Sequence, residues 1–322
     1  MSKFKSFLAP FIESFVAFQE AAERWNGTYG QNLRLFDRHC QRMFPDNTAL
    51  TQEMVDSWCA QRETEINNSC RVRVYAISNF ISYLRDRGET DVTGPCVPKI
   101  GRSTFIPHAF TGTELGRFFS ACDHLPRKGN PLAAKTRRLV IPVFFRLLYS
   151  SGLRTCEARL LRVGDVDMSQ GVLNIRKSKG HSQHYVALHG TMADLLRRYS
   201  HSIKAVHPER EFFFPSGGGS LLTNSWVSYN FRQIWHRANP SRATAYELRH
   251  NYAVENINQW VGDGFEVFSK MACLSKSMGH ASVESTMDYF HLVPALSNIV
   301  LDLTGAGFDI IVPEVRDEKG YE

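Results

Sequence analysis

Leu274-Ser275-Lys276-Ser277-Met278-Gly279-His280 closes a helical pattern, and Ala281–His291 (ASVESTMDYFH) then presents a single tyrosine, Tyr289. The apolar positions Leu274 and Met278 are one helical turn apart, and Gly279 is the residue type that ends a helix. Tyr289 is the candidate nucleophile of the chain. A phenol with a pKa near ~10 is a weak nucleophile at neutral pH. A tyrosine used in this way therefore needs cationic and hydrogen-bonding neighbours to stabilise the charge that develops. The rest of the chain is expected to supply arginines, a lysine and histidines.

It does so in three further blocks. Gly152-Leu153-Arg154-Thr155-Cys156-Glu157 follows an apolar helical run, Lys179-Gly180 lies between two strand-like segments, and Tyr246-Glu247-Leu248-Arg249-His250 opens another helix. With Gly279-His280 and Tyr289, the order and spacing resemble the tyrosine recombinase (phage integrase) family, whose pattern is Arg, Lys, His-x-x-Arg-His, His or Trp, and Tyr. The resemblance covers roughly the last two thirds of the chain.

Working outward, the segments before Tyr289 read as follows. Apolar residues recur at helical spacing over Lys5–Trp25, Tyr29–Met43, Thr51–Glu63 with Thr51 as N-cap, and Asn68–Arg87, which Gly88 closes. Thr90–Ala109 is rich in proline and glycine and has the composition of a linker. Beyond it, Thr111 or Thr113 caps a helix to Ala121, and Lys135–Ser150 is a strongly apolar helix central to a second core. Val172–Arg176 and His184–Leu188 alternate as a β-hairpin whose tip carries Lys177, Lys179 and His181. Helices over Thr191–Ser202 and Ser225–Arg237 follow. The expected class is mainly α with a small β component (α+β).

The resemblance implies an N-terminal helical, SAM-like core-binding domain at 1–92, a linker at 93–110, and a tyrosine recombinase catalytic domain at 111–292. Residues 293–322 would be a C-terminal segment, apolar at Pro294–Leu303 and then acidic, that docks on a neighbouring protomer. Two domains of this kind close as a clamp round a DNA duplex. Within 1–92, Arg71, Arg73, Arg85 and Arg87 interleave with Tyr75 and Tyr83, either as phosphate contacts or as a solvated helix face. Lys99 and Arg102 make the linker basic.

Charge is uneven: residues 1–100 carry 12 basic and 12 acidic side chains, 101–300 carry 24 and 14, and 301–322 carry two and six. The acidic tail is not expected along a phosphate backbone. The cysteines, seven in all, are scattered without a C-x-x-C pair and read as buried thiols of a reducing cytoplasm. No signal peptide and no membrane-length apolar run is legible, so a cytosolic protein is expected. Phosphate-loop, H-E-x-x-H and G-x-S-x-G motifs are absent from the sequence.

The resemblance also assigns roles. Arg154 and Arg249 would clamp the non-bridging oxygens of a scissile phosphate, because guanidinium forks are always charged and bidentate. Glu157 would orient Arg154. Lys179 would protonate the leaving 5′ oxygen as general acid, and Lys177 would touch phosphate non-specifically. His250 would act as base or positioning group, His280 as donor to the phosphate, and Tyr289 as nucleophile, giving a 3′-phosphotyrosyl bond. That ester conserves the energy of the bond broken, so no nucleotide cofactor or metal is expected.

Tyr246 departs from the pattern by standing where the family usually has histidine. A phenol there still donates a hydrogen bond but is no base near pH 7. Tyr246, Arg249 and His250, at i, i+3 and i+4, share a helix face. The expected partners are double-stranded DNA with specific recombination sites, a homotetramer on two such sites, and accessory recombination proteins. Two alternatives remain open: a type IB topoisomerase-like activity, which relaxes one duplex as a monomer, and a non-catalytic DNA-binding regulator of the same fold, which forms no covalent adduct.

Overall fold

The computed structural model describes residues 4–25, 27–101, 107–127, 129–176, 183–260, 266–280, 282–287 and 289. The chain divides into two compact units, Met1–Phe105 and Ile106–Glu322.

Among the described residues the first unit has four helices: α1 (Ala9–Ala21), α2 (Gly27–Met43), α3 (Gln52–Cys59) and α4 (Asn67–Arg85). Each turns one apolar stripe inward, so that Ile12, Phe15, Leu33, Phe36, Val55, Trp58, Ile77 and Phe80 form one core. Thr51 accepts from the Met54 backbone N–H and starts α3 as its N-cap. Asp37 is 1% exposed on α2. It accepts from the backbone N–H groups of Lys5 and Ser6 and from Ser6 Oγ, which offsets the cost of burying its carboxylate and ties the chain ahead of α1 to α2.

Arg73 corrects an expectation. It is 5% exposed rather than facing a phosphate. Its guanidinium spans both oxygens of Glu65 at 2.9 and 2.5 Å, and donates to the Ala60 carbonyl at 3.0 Å and to the Trp58 carbonyl. The helical phase of α4 points this arginine inward, and Glu65 neutralises it there; the fork from Arg73 holds the Glu65 carboxyl down to about 2. Arg73→Ala leaves a nearly buried carboxylate and two carbonyls without their donor. It is expected to cost about 3–5 kcal/mol of stability by denaturant unfolding, with no change in the salt dependence of DNA binding by the folded fraction.

Within the stretch read as a linker, Thr93, Pro98, Lys99 and Gly101 are hydrogen-bonded to side chains of α3 and α4. Gln52 bonds Thr93 through its backbone N–H and Oγ1, Arg71 donates to the Pro98 carbonyl, Asn67 to Lys99 and Asn68 to Gly101. Side chains on α3 and α4 replace the secondary-structure partners that this irregular backbone lacks. Arg102 lies outside the described residues.

The second unit holds α5 (Gly112–Asp123), α6 (Pro131–Ser151), α7 (Thr155–Leu160), α8 (Gly190–Lys204), α9 (Asn224–Ala238), α10 (Glu247–Gln259), α11 (Glu266–Ser277) and α12 (Glu284–Met287). Thr111 caps α5 in a reciprocal box with Glu114. The sheet is antiparallel in the order β1 (Val166–Asp167), β2 (Val172–Ile175), β3 (His184–Ala187), with Ile175 opposite His184 at the end of the hairpin. β1 is two residues long, too short to leave an alternation in sequence. The core is packed with rings, Phe118, Phe144, Phe145, Phe213, Phe214, Phe231 and Trp235, around α6.

Among the cysteines, Cys40, Cys70 and Cys122 are buried, whereas Cys96 and Cys273 are exposed and Cys59 and Cys156 lie between. Residue type alone does not tell which side of a helix meets water. No described helix is long and apolar enough to cross a membrane.

Candidate active site

The site grows from two helix ends. α6 stops at Gly152, whose φ of 63° is the left-handed conformation of a helix terminus. A Cβ there would lie 2.3 Å from the Tyr252 ring, so only glycine fits. The chain then turns into α7 with Arg154 at the N-cap position. The Arg154 backbone N–H donates to Glu157 Oε2 at 2.8 Å and its Nη1 to Oε1 at 2.7 Å, so the buried Glu157 orients both the backbone and the side chain of that arginine.

The second end is that of α11. Gly279, at φ 62°, closes it, and a Cβ there would meet the His184 ring at 2.5 Å. Carbonyls at a helix C-terminus lack helical donors and carry partial negative charge. Arg154 Nη2 takes the Gly279 carbonyl at 2.9 Å, and Arg249 Nη2 takes that of Met278 at 2.8 Å. Arg249, on α10, is 1% exposed, and its Nη1 also donates to the Gly152 carbonyl at 2.6 Å. It thus holds the ends of α6 and α11 together.

His280 follows Gly279 and sits between Arg249 and Thr286. Arg249 Nη2 lies 2.7 Å from His280 Nε2, and Thr286 Oγ1 lies 2.6 Å from Nδ1. An arginine can only donate, so Nε2 accepts and the ring proton is on Nδ1, an assignment made from the hydrogen-bond network. The expected donor to phosphate therefore has no Nε2 proton in this arrangement. Burial, then Arg249 and Arg154, push the His280 pKa down to about 4.

The sign of the consequence follows. The ring titrates near its ordinary 6.5 when unfolded and near 4 when folded, so the unfolded chain binds more protons between those values. Stability from this residue is fully present above about pH 6.5 and is lost as pH falls towards 4. His280→Gln is expected to flatten the fall of melting temperature over that window in a pH series.

Tyr289 is 7% exposed and belongs to a small core with Ala253, Ile257, Met271, Leu274 and Met278. Its ring stacks on His280 with centroids 6.1 Å apart and 11° between planes, and lies 5.4 Å from His250. Burial raises its pKa while Arg249 opposes the rise. His250 is pushed down mainly by burial. Tyr246, 44% exposed, stands edge-on to His250 at 5.0 Å. Arg249 Nε and His250 Nδ1 are buried without a hydrogen-bond partner among the described residues.

Arg154, Glu157, Tyr246, Arg249, His250, His280 and Tyr289 are thus brought together from four separate stretches. Lys177 and Lys179, between β2 and β3, lie outside the described residues. Arg71 and Lys99 belong to the first unit; Arg71 is half-buried, within 6.0 Å of the Tyr75 ring, and Lys99 is exposed. Sequence reasoning passed over Thr286 as a partner of His280, the carbonyls of Gly152 and Met278, and His184 against Gly279. Only Gly152 and Gly279 left a signal, as glycines just past helical patterns.

Two guanidiniums against one carboxylate leave net positive charge beside a tyrosine, with buried donor positions unfilled. That balance suits an oxyanion placed beside the phenol. The sequence profile of the phage integrase family matches residues 109–295, more than half of the chain. Tyrosine recombinase XerC of Chlamydia caviae is 29% identical over 72% of this chain and 70% of its own length. A Sinorhizobium fredii protein, y4rE, named as an integrase/recombinase by inference, is 27% identical over 90% of this chain and 93% of its own. The structure of XerH site-specific recombinase bound to difH in a post-cleavage complex shares the fold, with a TM-score of 0.59 and 18% identity over 87% of this chain and 78% of that one. This chain belongs to the phage integrase family, the tyrosine recombinases, which break and rejoin DNA strands at defined sites.

Proposed function

We propose that Tyr289 Oη attacks a DNA phosphodiester held by Arg154 and Arg249. The Tyr289–phosphorus bond forms, the bond from phosphorus to the 5′ oxygen breaks, and a 3′-phosphotyrosyl ester and a free 5′-hydroxyl result. The phenol proton passes towards His250, and Lys179 supplies a proton to the departing oxygen. Glu157 orients Arg154, His280 fixes Arg249, and Tyr246 donates a hydrogen bond to a phosphate oxygen. The reverse attack by a 5′-hydroxyl of a second duplex completes the exchange. The single observation that carries this reading is the gathering of Arg154, Arg249 and Tyr289 around the carboxyl end of α11.

The natural partner on this reading is duplex DNA with specific recombination sites, engaged by four protomers in a cyclic, head-to-tail arrangement in the cytosol. Lambda integrase, similar in fold at a TM-score of 0.59 and 14% identity, has been solved as a tetramer bound to a Holliday junction. Pro294–Leu303, outside the described residues, is the segment proposed to dock on the neighbouring protomer. Arg71, Lys99, Arg102 and Lys177 are proposed phosphate contacts; Arg73 is withdrawn from that set. Trapping the enzyme on a nicked duplex that carries its element's end sequence tests the chemistry. A covalent adduct on a denaturing gel supports it, and DNA binding without an adduct returns the chain to the regulator reading.

A further inference from the structure

Glu247 is 4% exposed at the first residue of α10, and the reaction described above makes no use of it. One carboxylate oxygen accepts the His108 backbone N–H at 2.9 Å, and the other accepts the Thr244 backbone N–H. His108 belongs to the irregular segment 107–110 that precedes α5. That segment has a second anchor: the His108 ring lies 3.1 Å from both oxygens of Glu114, which also accepts from Thr111 and Ser241. Burial opposes ionisation of Glu114, but these hydrogen bonds outweigh it and hold the carboxyl at about 2. This segment is therefore held by two carboxylates, and one of them is one residue from Tyr246, two from Arg249 and three from His250.

We infer that Glu247 is a positioning residue, tying the segment ahead of α5 to the first turn of α10 and so setting where Arg249 and His250 meet the phosphate. The inference rests on the reading of Arg249 and His250 given above. A carboxylate suits this place because it accepts two converging N–H groups at once, whereas an amide would turn its NH₂ against one of them. It also acts on His250 through space: the groups facing that ring are Glu247, Arg249 and Tyr246 on its own helix and Tyr289 beyond α12, and Glu247 opposes the lowering that burial imposes. Movement of this segment would reach the site through the same tie.

The test compares full-length wild type with Glu247→Gln in single-turnover cleavage of the nicked duplex, across pH, with DNA affinity and melting temperature measured alongside. Glu247→Gln is expected to cleave about 10- to 100-fold more slowly per folded molecule, the range for a slight misplacement of catalytic groups, with DNA affinity unchanged. Loss of the negative charge lowers the His250 pKa, so the acid limb of the pH–rate profile moves to lower pH. A purely structural role would reduce the folded fraction and leave that midpoint in place.

Wild-type rate and midpoint in folded Glu247→Gln overturn the inference, as does a reduced folded fraction at unchanged rate per folded molecule. If that variant does not fold, Glu247→Asp decides: it keeps the charge and withdraws the carboxylate from His108, so the midpoint should hold while the rate falls. A wild-type rate in Glu247→Asp is then the overturning result. Absence of adduct in wild type itself indicts the reading of Tyr289 and not this one.

Discussion

Tyr289→Phe is expected to abolish the covalent protein–DNA adduct while leaving the second unit folded. The substitution removes one oxygen and keeps the ring that packs among Ala253, Ile257, Met271, Leu274 and Met278. The stability lost is expected to be small, about 1 kcal/mol, the scale of the hydrogen bonding of one hydroxyl. No other described tyrosine is placed to substitute. Tyr246 touches the same His250 ring, but it is 44% exposed at the N-cap of α10, whereas Tyr289 is 7% exposed and stacks on the His280 that Arg249 holds. The measurement is a denaturing gel of both proteins on the nicked duplex, with binding followed by mobility shift. An adduct in Tyr289→Phe would move the nucleophile elsewhere, and Tyr246→Phe would be the next variant made.

Arg249→Ala carries the second large effect, and it acts on chemistry and stability together. Losing a preorganised donor to a developing oxyanion costs on the order of 10²–10³ in rate. The same guanidinium satisfies the buried carbonyls of Gly152 and Met278 and fixes His280. Each group left without its partner costs about 1–3 kcal/mol, so the alanine variant should melt several degrees lower. Arg249→Lys separates the two effects. Lysine restores the charge but not the planar fork, so it cannot reach both helix ends and the phosphate at once. We expect cleavage to stay at least about 100-fold down while part of the melting temperature returns, read by single-turnover cleavage and thermal unfolding of the same samples. Near-wild-type cleavage by Arg249→Lys would mean that charge alone, not the fork, is what the reaction needs.

The four N-terminal helices, the apolar α6, the β2–β3 hairpin and the helices up to α10 were legible from periodicity and caps, because those signals are local. So was the membership of Arg154, Arg249, His250, His280 and Tyr289 in one site, since a resemblance in ordered blocks carries spatial information that no single block holds. Arg73 was misread because the composition of α4 is basic and aromatic, while its inward phase and its match to Glu65 depend on the packing of α3 and α4.

What the chain by itself determined is the chemistry available: a phenol, two guanidiniums and imidazoles in a fixed order, on helices whose ends are marked by Gly152 and Gly279. Only the tertiary structure decided how those groups are held. The orphan carbonyls of two helix ends accept the arginines, Thr286 and Arg249 set the His280 tautomer, and Glu247 ties α10 to His108, which is 139 residues away in sequence. Hydrogen bonds across such separations follow from which surfaces come together on folding, and no local pattern of residue types records them.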